Sequence, residues 1–183
     1  MPRKRYLVVT AGGSGTRMGS DLPKQFLPLR GKAVLQRTIE RFMEASPDIR
    51  VITVLPEAYV PWWRRYCQEK GFNCPQRLVK GGFTRFHSVK SALSFVPDGA
   101  VVAVHDGVRP LVSVPLLKAM FERMDTERAL IPVVPSVDTL TVLDKAADGE
   151  LSDTGETVDR SRIYGAQTPQ MFLSEDLKAA YGQ

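Results

Sequence analysis

Two cations stand close behind a glycine-rich run near the amino terminus: Gly12-Gly13-Ser14-Gly15-Thr16-Arg17, then Lys24. Glycines let backbone N–H groups approach an anion closely, and a helical turn that follows adds the positive end of its dipole. The chemistry that suits such a run is the grip of a phosphate chain. It fits neither of the two commonest phosphate loops. Gly13 and Gly15 match the dinucleotide fingerprint, but Met18 stands where the third glycine belongs, and no glycine-lysine-serine/threonine triplet closes the run as a Walker loop requires. Taken alone, it reads better as an ordinary strand-to-helix turn with solvated cations.

A second group, His105-Asp106-Gly107-Val108-Arg109-Pro110, follows directly on the apolar run Ala100–Val104. In open α/β sheets the ligand lies beyond the carboxyl ends of the strands. Asp106 is therefore placed where a carboxylate can hold Mg²⁺ on phosphates, or where an aspartate simply shapes a turn. Arg109 is either its ion-pair partner or a second phosphate clamp. His105 reads as a packed, hydrogen-bonded histidine. The third group is Gly81-Gly82-Phe83-Thr84-Arg85-Phe86-His87-Ser88 at the start of a helix. The diglycine permits close backbone approach to a flat ligand such as a base. Ser88 offers one hydrogen bond, and Thr84 or Ser88 can cap the helix.

The elements that must carry these groups follow from periodicity. Tyr6–Val9 reads as a strand ending in the glycine-rich turn. Leu35, Ile39, Phe42 and Met43 fall on one helical stripe. A strand holds Val51, Ile52, Val54 and Leu55; a helix over Tyr59–Lys70 stops at Gly71; Arg77–Val79 is a brief strand. Ser88, Val89, Ala92, Leu93 and Phe95 continue a helix that Pro97 and Gly99 end. Ala100–Val104 and Ala129–Val134 read as strands covered on both faces, with helical spacing of Val114, Leu117, Met120, Phe121 and Met124 between them. Strands alternating with helices predict parallel βαβ units in a three-layer αβα sandwich with a mostly parallel sheet.

The stretch at about 136–162 breaks that pattern. Short β-prone runs, Thr139–Leu143 and Thr154–Val158, flank Asp148-Gly149 and carry too little apolar surface to be core. They predict a β-hairpin arm projecting from a single domain that spans residues 1–183. A dimer contact and a mobile loop are both open readings of it.

Composition narrows the partners. With 183 residues, 43% hydrophobic and 25% charged, the chain suits one globular domain with a real core. Its apolar runs are strand-sized, and the amino terminus lacks the long apolar stretch of a signal peptide, so a cytoplasmic protein with no membrane partner is expected. Cys67 and Cys74 fit no metal or redox spacing. The net charge of +5 favours anionic partners. The cations are scattered and not interleaved with aromatics, which argues for phosphorylated small molecules over nucleic acid.

The ordered set of runs is more specific than any one of them. Ala11–Met18, Leu22-Pro23-Lys24-Gln25-Phe26, Gly81-Gly82, His105–Pro110, Thr157-Val158-Asp159-Arg160 and Gln167-Thr168-Pro169-Gln170 occur in an order that resembles the 2-C-methyl-D-erythritol 4-phosphate cytidylyltransferase family along essentially the whole chain. The resemblance implies a Rossmann-like enzyme of the non-mevalonate isoprenoid pathway, which joins CTP and methylerythritol phosphate and releases pyrophosphate. It implies catalytic roles for Arg17, Lys24 and Arg160, and a nucleotide site at Ala11, Gly12, Gly13, Ser14, Gly15, Gly82, Ser88 and Asp106. It further implies Mg²⁺ at Asp106, the sugar phosphate at Arg109, Thr139, Arg160 and Thr168, and a homodimer formed through the arm. Phe83 and His87 depart from the family pattern, which has acidic residues there. The family pattern also continues past Gln183 with a further carboxylate and a lysine. Ribitol-5-phosphate cytidylyltransferase is the nearest alternative, and a catalytically inactive nucleotide-binding protein a more distant one.

Overall fold

The computed structural model describes residues 3–13 and 22–182. The chain divides into two compact units, one running up to Leu130 and resuming at Thr168, the other spanning Ile131–Gln167.

The first unit is built on a six-stranded sheet. Its strands are β1 (Arg5–Thr10), β4 (Arg50–Leu55), β5 (Gln76–Lys80), β6 (Val101–Asp106), β7 (Ala129–Leu130) and β12 (Gln170–Leu173), in the order β5-β4-β1-β6-β12-β7. The first four pair in parallel, and β12 runs antiparallel to both β6 and β7. Alternation along each strand supplies two cores. Leu7, Val9, Val51, Leu55 and Ala103 face helices α1 (Val34–Ala45), α2 (Val60–Glu69) and α4 (Val114–Arg123), where Ile39, Phe42, Trp63 and Phe121 are buried. Tyr6, Val8, Ile52, Val54, Val102 and Val104 face α3 (Arg85–Leu93) and α5 (Ser174–Ala180), through Val89, Leu93 and Leu177. Helices thus cover both faces, as the alternating pattern predicts: a Rossmann-like three-layer αβα sandwich with a mostly parallel sheet. Short antiparallel strands β2 (Pro28–Leu29) and β3 (Lys32–Ala33) lead into α1.

One expected element is corrected. Ala129–Val134 is not a single buried strand. Only β7 joins the main sheet; β8 (Val133–Pro135) belongs to the second unit, where it pairs with β11 (Tyr164–Ala166), and all three of its residues are exposed. Pro132 between them has no N–H to give to a ladder, so the strand cannot run through it. The second unit also holds β9 (Thr141–Lys145) and β10 (Leu151–Thr157), antiparallel and joined by a turn with Gly149 at φ 92°. Among the described residues no helix is long and apolar enough to cross a membrane.

Candidate active site at the carboxyl ends of β1 and β6

The strand order reverses between β1 and β6: the chain builds outward from β1 through β4 to β5, then returns to place β6 on the other side. Such a switch point leaves a crevice beyond the carboxyl ends of the two strands. A cavity of about 610 Å³ lies there, within the range that takes a small-molecule ligand. Thr10, Ala11, Gly12 and Gly13 line it from the end of β1, Asp106 and Val108 from the end of β6, and Gly82, Phe83, Thr84, Arg85 and Ser88 from the β5–α3 turn. Lys24 and Gln25 complete the lining.

Backbone hydrogen bonds carry the sheet's order past the last strand residues. The Ala11 N–H donates to the Val54 carbonyl at 2.9 Å, that of Gly107 to Thr10 at 2.8 Å and that of Gly81 to Leu55 at 2.8 Å. Glycine is needed for space at one position and fits tightly at another. A Cβ on Gly82 would fall 2.4 Å from the His87 Cβ, and one on Gly107 would meet Ala11 Cβ and Leu35 Cδ1 at 3.0 Å. The Gly82 N–H donates to Ser88 Oγ at 3.1 Å, folding the diglycine turn back on the first turn of α3. Thr84 caps that helix by accepting from the His87 N–H at 3.3 Å, so of the two expected capping residues Thr84 takes the part.

Charge in the crevice is organised around Asp106. Its carboxylate meets Arg109 Nε at 2.9 Å and Arg85 Nε at 3.5 Å. Arg85 opens α3, where the helix dipole disfavours a cation, and Asp106 offsets that cost. Beneath it His105 is fully buried against the Phe42 ring, with its Nε2 3.1 Å from the Arg109 carbonyl oxygen. Burial pushes its pKa down to about 4. A neutral imidazole with Nε2 engaged by a carbonyl is a packing group that supports the Asp106–Arg109 turn, not a base poised for proton transfer.

Of the residues expected from sequence, Ala11, Gly12, Gly13, Lys24, Gly82, Ser88 and Asp106 meet in this one cavity, and Arg109 reaches it through Asp106. Ser14, Gly15 and Arg17 lie outside the described residues. Thr168, just ahead of β12, has a buried hydroxyl with no hydrogen-bond partner among the described residues. Thr139 and Arg160 belong to the second unit. Thr139 is exposed just before β9, and Arg160 opens a 3-10 turn with its Nη1 3.4 Å from the Val137 carbonyl oxygen. Among the described residues Asp106 is the one carboxylate lining the cavity, and they hold no group of three or more potential metal ligands.

Two supporting residues escaped the sequence reading. Gln25, only 2% exposed, donates from Nε2 to the carbonyls of Ala11 at 2.7 Å and Gly13 at 3.1 Å, pinning the glycine-rich segment from beneath. A glutamine beside Lys24 gives no hint that it is buried. Arg85 did leave a signal: a cation at the first position of a helix is out of place unless something nearby accepts it.

A profile of the 2-C-methyl-D-erythritol 4-phosphate cytidylyltransferase family matches residues 6–183. The chain is 44% identical to the enzyme of that name from Bacteroides thetaiotaomicron, over 98% of its own length and 79% of the relative's. It is 45% identical to that from Porphyromonas gingivalis, over 100% of its length and 78% of the relative's. The crystal structure of the Francisella tularensis 2-C-methyl-D-erythritol 4-phosphate cytidylyltransferase superposes on 98% of the chain and 76% of the neighbour with TM-score 0.76 at 26% identity.

Proposed function

Because the chain belongs to the 2-C-methyl-D-erythritol 4-phosphate cytidylyltransferase family, we propose that it joins CTP and 2-C-methyl-D-erythritol 4-phosphate, giving 4-diphosphocytidyl-2-C-methyl-D-erythritol and pyrophosphate in the non-mevalonate isoprenoid pathway. The observation that carries the reading is the convergence of Ala11–Gly13, Lys24, Gly82, Ser88 and Asp106 on one cavity at the switch point of the sheet. Those segments are up to 95 residues apart in sequence, from Ala11 just after β1 to Asp106 at the end of β6.

The reaction needs no protein nucleophile. An oxygen of the methylerythritol phosphate attacks the α-phosphorus of CTP; the new P–O bond forms as the bond to the β-phosphate oxygen breaks, and pyrophosphate leaves with the electron pair. The obstacle is the approach of one anion to another. Each unit-charge pair at about 4 Å costs or gains about 4 kcal/mol at an effective dielectric of about 20, so fixed cations decide the rate. Lys24 and Arg17 are assigned to the α-phosphate, where charge develops in the transition state. Backbone N–H groups of the segment Gly12, Gly13, Ser14 and Gly15 hold the triphosphate, and Ala11, Gly82 and Ser88 flank the nucleoside. Arg109, Thr139, Arg160 and Thr168 are assigned to the sugar phosphate.

Asp106 suits Mg²⁺, which is commonly held by one or two carboxylates with phosphate oxygens completing its shell. Bound there, the ion would supply further neutralisation of the triphosphate. The Asp106 carboxylate, paired here with Arg85 and Arg109, must then share or exchange those partners.

A homodimer through the second unit completes the reading. Val137 is 82% exposed, Leu151 59% and Tyr164 54%, on a segment of two-stranded sheets that are marginal in isolation. A second copy of the chain is the partner that would bury them. The activity is tested by pyrophosphate release from CTP with each of two acceptors. Release with methylerythritol phosphate is expected; faster release with ribitol 5-phosphate would overturn the assignment.

A further inference from the structure

We propose that Phe83 is the stacking platform for the nucleobase, its ring lying against the flat face of cytosine when CTP occupies the cavity. The inference rests on the reading of that cavity as the CTP site. Phe83 lines the cavity from the turn between β5 and α3, yet it is 103% exposed. A phenylalanine without cover is ordinary on a surface, but this one stands at the rim of a crevice whose other lining groups are polar, charged or backbone, apart from Ala11 and Val108. Its neighbour Phe86, one turn on, shows the contrast: it stacks on Tyr181 with centroids 4.6 Å apart and planes at 14°. Among the described residues Phe83 has no such ring partner.

A nucleoside triphosphate has one flat, weakly polar part, and only that part gains from a phenyl face. The phosphates need the N–H groups and cations found on the β1 side of the cavity. The turn holding Phe83 is instead neutral at Gly82, Thr84 and Ser88, with the Gly82 N–H already given to Ser88 Oγ, and its one cation, Arg85, lies 3.5 Å from the Asp106 carboxylate. Base–aromatic stacking typically strengthens binding by about tenfold or more, and it tolerates any base because every base has a π-face. Phe83 therefore sets affinity for the nucleoside. The choice of cytosine falls to groups that read the base edge, such as the Ser88 hydroxyl and nearby backbone.

The test is titration calorimetry of the whole protein with two probes, CTP and inorganic tripolyphosphate. Phe83→Ala is expected to weaken CTP about tenfold and leave tripolyphosphate unchanged, while Phe83→Tyr and Phe83→Trp keep CTP binding. Because the ring is exposed, its removal opens no hole in the core. Equal CTP affinity in wild type and Phe83→Ala would overturn the inference and leave the CTP reading standing. Equal loss for both probes would overturn it too, by showing a role away from the base. A wild-type protein that bound CTP no more tightly than tripolyphosphate would sink the inference and the CTP reading together.

Discussion

The two units of the chain treat their strands in opposite ways. In the first, the interior residues of β1 and β6 are all buried, and helices seal both faces of the sheet. In the second, every residue of β8, β10 and β11 is exposed and only Val142 of β9 is partly covered. The first unit is thus held by its own cores and can keep backbone N–H groups, Lys24 and Asp106 in place before any ligand arrives. The second has hydrogen-bonded ladders but no core. Its apolar side chains gain only from another surface. Pre-built electrostatics belong to the first unit, and contact-dependent structure to the second. That division suits the proposed reaction, in which the nucleotide is assigned to the first unit and the acceptor contacts Thr139 and Arg160 belong to the second.

A side-chain deletion should cost far more in the first unit than in the second. Phe42→Ala removes a fully buried ring from the first core and should cost about 3–5 kcal/mol of unfolding free energy in urea titration. Leu143→Ala, at a side chain 44% exposed, should cost well under about 1 kcal/mol at concentrations where the protein is monomeric. Similar costs at the two sites would show that the second unit has a core of its own.

Next in size is the cationic grip. Lys24→Ala is expected to lower turnover by about 10²–10³ with CTP affinity much less affected, as for a group that acts where charge develops. Near-normal turnover would remove Lys24 from the transition state. Arg160→Ala probes the other side of the division. It should raise KM for methylerythritol phosphate by about tenfold while KM for CTP holds, the cost of losing a charge-assisted phosphate contact; a rise in both would mean that the two substrates are not handled separately.

The smallest effect concerns the thiols. Desolvation pushes Cys67 and Cys74 up to about 11. The reactive thiolate then forms only as pH climbs toward 11, so at pH 8 about one thiol in a thousand is ionised. Alkylation of the native protein should be slow at pH 8 and quicken about tenfold per pH unit up to pH 10. Rapid labelling at pH 8 without denaturant would show that this part of the first unit opens readily.

The layers of the fold were legible wherever one residue type repeated at one spacing. The run Ala100–Val104 announced a central strand, and the stripe of Leu35, Ile39 and Phe42 announced α1. What escaped depends on pairing at long range. Gln170–Leu173 is four residues long with no distinctive alternation, and it becomes a strand because β6 and β7 both pair with it. Ala129–Val134 looked like a uniform apolar run, but Pro132 divides it. Within the site, the glycines and charged residues were readable from their chemistry, whereas Gln25 and Arg85 work only through partners 14 and 21 residues away, Ala11 and Asp106. Local pattern shows what a residue can do; the fold decides what it meets.

A crystal structure of the protein grown with CTP and Mg²⁺ decides whether the crevice beyond β1 and β6 holds CTP. Density for the nucleotide is expected in that cavity, with its triphosphate against Gly12, Gly13 and Lys24, the ion on Asp106 and the base under Phe83. Nucleotide bound elsewhere, for instance in the groove of Arg50 and Arg77 at the amino ends of β4 and β5, with this crevice empty, would contradict it.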